Sequence, residues 1–147
     1  MSSRPVALPR HHYLQFQSIT TRWSDNDVYG YVNNVVFYSW FDTAVNRWLI
    51  EAGALDVDQG ALIGLVVQTH CDYFSPLQFP QTVDAGIAVS RVGKSSVRYE
   101  IGLFAAGAEL SAAAGHFVHV YVDRQTRRPV TLPAEFLNAI QPLRSIE

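Results

Sequence analysis

Two apolar rows run at i, i+4 spacing through the segment 34–50. Val36, Trp40, Ala44 and Trp48 form one row, and Phe37, Phe41, Val45 and Leu49 form the next. Together they make a wide apolar stripe of helical period, with Ser39, Asp42, Thr43, Asn46 and Arg47 mostly on the opposite side. Neither Gly nor Pro interrupts the segment. Asn33 stands where an N-cap belongs, and Gly53 where a left-handed C-terminal residue belongs. The pattern predicts a helix of about 18 residues, roughly 27 Å long at 1.5 Å per residue.

Nearly all the rest has strand character. Segment 12–23 is rich in β-branched and aromatic residues, and segment 63–74 ends at the Ser75-Pro76 turn signal. Val83, Ala85, Ile87 and Val89 alternate with Asp84, Gly86, Ala88 and Ser90. After a turn around Gly93, Val97, Tyr99, Ile101 and Leu103 alternate with Arg98, Glu100 and Gly102. Gly107 then turns the chain into a run over 110–122, and Pro133 suits the first position of a closing helix. Short turns join the last three strands and make them antiparallel neighbours. One very apolar helix against one face of such a sheet predicts an α+β fold, a sheet of about five strands curving around the helix.

Composition narrows the class. At 147 residues with 48% hydrophobic content, the chain is expected to form one domain over 1–147, with loose ends at 1–9 and 142–147. Eleven Lys and Arg against thirteen Asp and Glu give a net charge of −2, which disfavours nucleic acid as a partner. No apolar run approaches the roughly 20 residues that span a bilayer, and the start lacks the apolar core of a secretory signal. With one cysteine, Cys71, there is no internal disulfide, so the expected setting is the cytoplasm.

Candidate chemistry concentrates in segment 21–34, TRWSDNDVYGYVNN. Asp25 and Asp27 lie two residues apart, followed by Gly30 and the paired asparagines at the helix start. A helix N-terminus offers unpaired N–H groups and a positive dipole end, which can stabilise an oxyanion on a carbonyl. A carboxylate just upstream can attack that carbonyl or activate water against it. The same residues also make ordinary turns and caps, so spacing alone leaves a structural role open.

RWSDNDVYGYVNNVVFYSWFD resembles the signature of the 4-hydroxybenzoyl-CoA thioesterase family, whose fold is the hotdog. Arg22, Asp25, Asp27, Gly30, Val32, Asn33, Asn34 and Phe37 or Tyr38 fill the places of that pattern. CDYFSPLQFPQTV, RVGKSSVRYEI and GHFVHVYVDRQTRRPVTLP resemble later family segments in the expected order. The resemblance implies hydrolysis of an acyl-CoA, with Asp27 as the catalytic carboxylate and the Asn34 N–H binding the thioester oxygen. Gly30 and Tyr31 would border the substrate, and the family commonly has His where this chain has Tyr31. A phenol titrates near pH 10, so Tyr31 does not replace an imidazole as proton carrier. Lys94, Ser95 and Ser96, at a hairpin where the family's CoA nucleotide crosses the surface, are candidate phosphate contacts; Arg91, Arg127 and Arg128 are further ones. The resemblance implies a homodimer or homotetramer with sites between subunits, and no cofactor.

The remaining histidines and the cysteine are given structural roles. Consecutive strand residues face opposite sides, so His70, Cys71 and Asp72 are not expected to converge on a metal. His116 and His119 should fall on opposite faces of the last strand, as packing or surface residues. Two rival functions stay open: a hydratase or dehydratase of the same fold, and an acyl-CoA binding or regulatory module without turnover.

Overall fold

The computed structural model describes residues 4–144. Helix α1 spans Asn34–Glu51, and the Asn33 side chain accepts the Val35 N–H at 3.1 Å as its cap. Gly53 follows the helix with φ +76°, a left-handed conformation that an L side chain rarely adopts. Five strands form one antiparallel curved sheet: β1 (Gln15–Thr20), β2 (Leu62–Tyr73), β3 (Thr82–Val92), β4 (Ser96–Ala105) and β5 (Ala113–Asp123). Their order is β1-β3-β4-β5-β2, with β2 at a sheet edge and a bulge between Val66 and Gln68.

The apolar stripe of α1 covers the inner face. Phe37, Trp40, Phe41, Ala44, Val45 and Leu49 are buried in one cluster with Val83, Ile87, Tyr99, Ile101, Leu103 and Phe117. Every second residue of the strands faces the other way, and there the N-terminal segment packs. Tyr13 is buried over Gly86 and Gly102, whose hypothetical Cβ atoms would collide with its ring. The register seats the two glycines directly opposite one another on β3 and β4, which makes the slot. No helix among the described residues is long and apolar enough to cross a membrane.

Several expected boundaries shift. Strand character over 12–23 overextends at both ends, because Arg10–His12 and Trp23–Asp25 are short 3₁₀ turns. Pro133 caps the closing helix α2 (Ala134–Ala139) rather than entering it. Within the stretches 1–9 and 142–147, some described residues are held in place. Leu8 N–H donates to Ser111 Oγ at 2.9 Å, Pro9 bridges Leu110, and Leu143 is buried. Residues 1–3 and 145–147 lie outside the described residues.

Candidate active site

The loop before α1 is built on Asp25. Its carboxylate is fully buried and accepts the Arg22 backbone N–H at 2.7 Å and the Arg22 guanidinium at 2.8 and 3.1 Å. Its carbonyl accepts the Asn33 N–H at 2.9 Å, which ties the loop to the helix cap. With these donors around it, Asp25 is a scaffold, not a group free to react.

Asp27 sits differently. It opens a tight turn in which Gly30 N–H bonds the Asp27 carbonyl at 3.0 Å and Asp27 N–H bonds the Tyr31 carbonyl at 2.8 Å. Gly30 takes φ +86°, which the turn requires and a larger residue would strain. Asp27 Oδ1 accepts the Tyr29 N–H at 2.8 Å, and Oδ2 has no hydrogen-bond partner among the described residues. The carboxylate is half-buried and lines an open concavity with Trp23, Ser24, Asn26, Gly30 and Asn33. Tyr31, next after Gly30, is 46% exposed.

The start of α1 follows this loop and carries one open donor. Val35 N–H is taken by Asn33 Oδ1, and Val36 N–H by the Asn33 carbonyl at 2.9 Å. Asn34 N–H has no partner among the described residues. The Asn34 carbonyl accepts the Tyr73 hydroxyl at 3.1 Å from the end of β2. Tyr73 was not legible as a site residue. Its only sequence signal is an aromatic closing a strand shortly before the Ser75-Pro76 turn.

Lys94, Ser95 and Ser96 are not brought to this loop. They lie at the β3–β4 turn, where Gly93 N–H bonds the Ser96 carbonyl at 2.8 Å and Leu132 N–H bonds the Lys94 carbonyl at 3.0 Å. Strand β4 runs from that turn to Ala105 at the end of the sheet where Thr21 and Asn26 are held. Its ten residues rise roughly 33 Å. The acid and the basic turn therefore occupy opposite ends of one protomer. Arg127 and Arg128 lie in the turn that closes β5, at the Lys94 end.

His70 and Asp72 share the outer sheet face and pair at 3.1 Å, while Cys71 packs toward the core from the other side. Burial pushes the Cys71 thiol up to about 11. His70 stacks on His116 with ring centroids 5.3 Å apart, and Arg98 meets His116 Nδ1 at 3.1 Å. No group of three or more His, Cys, Asp or Glu able to hold a metal occurs among the described residues. His119, on the inner face, is buried against Tyr99, Phe117 and Tyr121. Its Nδ1 meets Tyr121 Oη at 3.1 Å and its Nε2 has no partner among the described residues. Burial holds its imidazole down at about 4.

The family model of the thioesterase-like superfamily matches residues 21–140. Among solved structures, the PA5185 protein from Pseudomonas aeruginosa is 52% identical, with 96% of this chain and 99% of that chain covered at a TM-score of 0.92. A second Pseudomonas aeruginosa protein, PA2801, described as a candidate thioesterase, is 28% identical over 87% of this chain and 98% of its own, with a TM-score of 0.78. A 1,4-dihydroxy-2-naphthoyl-CoA thioesterase from Synechocystis shares the fold at 18% identity. It covers 85% of this chain and 93% of its own with a TM-score of 0.76. No curated protein sequence matches the chain.

Proposed function

The chain belongs to the thioesterase-like superfamily and has the hotdog fold, and from that membership we propose that it hydrolyses an acyl-CoA thioester to the free acid and CoA. The observation that carries this reading is a carboxylate, Asp27, with an oxygen uncommitted among the described residues, in the loop that leads into α1, whose first N–H, that of Asn34, also has no partner among them. In the proposed reaction the thioester oxygen lies against the Asn34 N–H, where the dipole and the open donor favour the developing oxyanion. Asp27 acts in one of two ways. As nucleophile it forms an acyl–aspartyl anhydride with loss of the CoA thiolate, and water then cleaves the anhydride. As general base it removes a proton from water while that water attacks the carbonyl carbon. Either route ends in a carboxylic acid and a thiol. Gly30 lets the turn come close to the substrate, and Tyr31 shapes the rim.

The CoA nucleotide is assigned to Lys94, Ser95 and Ser96 of a second copy. Strand β2 is 12 residues long, is unpaired on one side and carries Leu65, Val66 and Val67 at 39–60% exposure. Such an edge invites a partner strand. Pairing two β2 edges about a two-fold axis reverses one protomer against the other, so the Lys94 end of one meets the Asp27 end of its mate. We accordingly propose a homodimer as the working unit, with a homotetramer as its doubled form. The proposed setting is the cytoplasm, in keeping with a single cysteine.

The test is a panel of acyl-CoAs mixed with the protein and a thiol reagent. Free thiol supports hydrolysis. Binding without thiol release identifies a module without turnover, and loss of enoyl absorbance without thiol identifies a hydratase.

A further inference from the structure

The connection between β2 and β3 is stitched to the site segment at four heights. Thr21 Oγ1 donates to the Gln81 carbonyl, Phe79 N–H donates to Asn26 Oδ1 at 3.1 Å, and Val32 N–H donates to the Leu77 carbonyl at 2.8 Å. The fourth stitch is the Tyr73 hydroxyl on the Asn34 carbonyl. As the first partner advances from 21 to 34, the second falls from 81 to 73, so the two segments run antiparallel. Three stitches hold the loop; only the Tyr73 one reaches α1 itself. The Tyr73 ring, 43% exposed, also packs edge-on against Phe37 with centroids 5.0 Å apart, and this contact holds one side of the ring whose hydroxyl makes the bond. Burial, with Cys71 and Tyr38 nearby, raises the phenol pKa, and the hydroxyl remains a donor across ordinary assay pH.

We infer that Tyr73 is a positioning residue: its hydroxyl, bonded to the Asn34 carbonyl, fixes the first turn of α1 so that the Asn34 N–H meets the thioester oxygen. The inference rests on the thioesterase reading above. An oxyanion donor acts on charge that exists only as the transition state forms, so an error in its aim lowers kcat and leaves substrate binding alone. The loss of one ordinary hydrogen bond corresponds to roughly a three- to tenfold change in rate.

The experiment compares Tyr73→Phe, which keeps the ring against Phe37, with wild type. Two measurements are made: steady-state hydrolysis of the best acyl-CoA, and amide hydrogen exchange over the first turn of α1. The expected result is a roughly three- to tenfold fall in kcat with KM within twofold, and faster exchange confined to residues 35–38. An active wild type whose Tyr73→Phe variant keeps its kcat overturns this assignment alone. A fall in kcat with unchanged exchange at the helix start also overturns it, because the hydroxyl would then act by another route. A wild type that releases no thiol from any acyl-CoA overturns the thioesterase reading, and this assignment with it.

Discussion

Asp25 and Asp27 are two residues apart and chemically identical, yet conversion of each to Asn should have opposite consequences. In Asp25→Asn the side chain keeps its shape, but one acceptor oxygen becomes an NH₂ that faces donors of Arg22. The Arg22 guanidinium is 71% exposed and can turn to water, so its two bonds count for little. The amide oxygen stays on the Arg22 backbone N–H, bonded at 2.7 Å, so it is the new NH₂ that is left in a fully buried site without an acceptor. One lost charge-assisted bond and one unsatisfied group amount to about 2–4 kcal/mol. At roughly 2–4 °C per kcal/mol for a chain of this size, Tm should drop by about 5–15 °C. Asp27→Asn keeps an oxygen for the Tyr29 N–H, so Tm should stay within about 2 °C of wild type. Its hydrolysis rate should nonetheless fall by about 10²-fold or more, the scale of a lost acid–base group. The assay is a pair of melting curves beside acyl-CoA hydrolysis at saturating substrate. A Tm for Asp25→Asn within 2 °C of wild type would refute the scaffold argument, and a folded Asp27→Asn with wild-type turnover would refute the catalytic one.

Other outcomes follow from the same geometry. Lys94→Ala should raise KM by roughly 5–30-fold with little change in kcat, because a phosphate contact is equal in ground and transition states. The effect should shrink at high salt and vanish with a pantetheine thioester, and an equal penalty on the truncated substrate would exclude a nucleotide contact. Tyr31→Phe should change kcat by less than about tenfold, and a loss as deep as that of Asp27→Asn would show its hydroxyl to be essential. His119, held neutral at about 4 against an ordinary 6.5, gives stability that is complete above pH 6.5 and is lost as pH falls toward 4. From pH 7 to 5 wild type should therefore lose about 2 kcal/mol more than His119→Gln, read from denaturant midpoints; parallel pH profiles would contradict this.

What was legible in the sequence is what short-range pattern encodes. The span of α1 is written in its own stripe, its Asn33 cap and Gly53, and the antiparallel hairpins in their alternation and glycines. Strand propensity over 12–23, by contrast, says nothing of Asp25 drawing Arg22 into a 3₁₀ turn, or of Tyr13 leaving the strand to seat on β3 and β4. The tail read as loose because Leu143 is buried only by its contacts with distant residues. In the site, spacing brought Asp27 close to the helix start but did not distinguish it from Asp25, whose burial is tertiary. The Lys94 turn and the Asp27 loop read as parts of one site, whereas β4 holds them at opposite ends of the protomer. Tyr73, 39 residues from its partner Asn34, has no local signal for that bond. His119 faces opposite to His116, as alternation requires, but its seat beside Tyr99 comes from the pairing of β4 with β5.

The slot beneath Tyr13 has a bearing on how this sequence can diverge. A Cβ at Gly86 would stand 2.7 Å from Tyr13 Cγ, and one at Gly102 would stand 2.6 Å from its hydroxyl, so either glycine can grow only if the ring shrinks or leaves. Shrinking the ring alone would bare two adjacent glycines in the middle of the sheet, where they weaken the strands and pack nothing. Positions 13, 86 and 102 should therefore be inherited as a set. A descendant with alanine at 86 or 102 should carry a small residue at 13, and one that keeps tyrosine there should keep both glycines, although 73 residues of chain separate the first from the second.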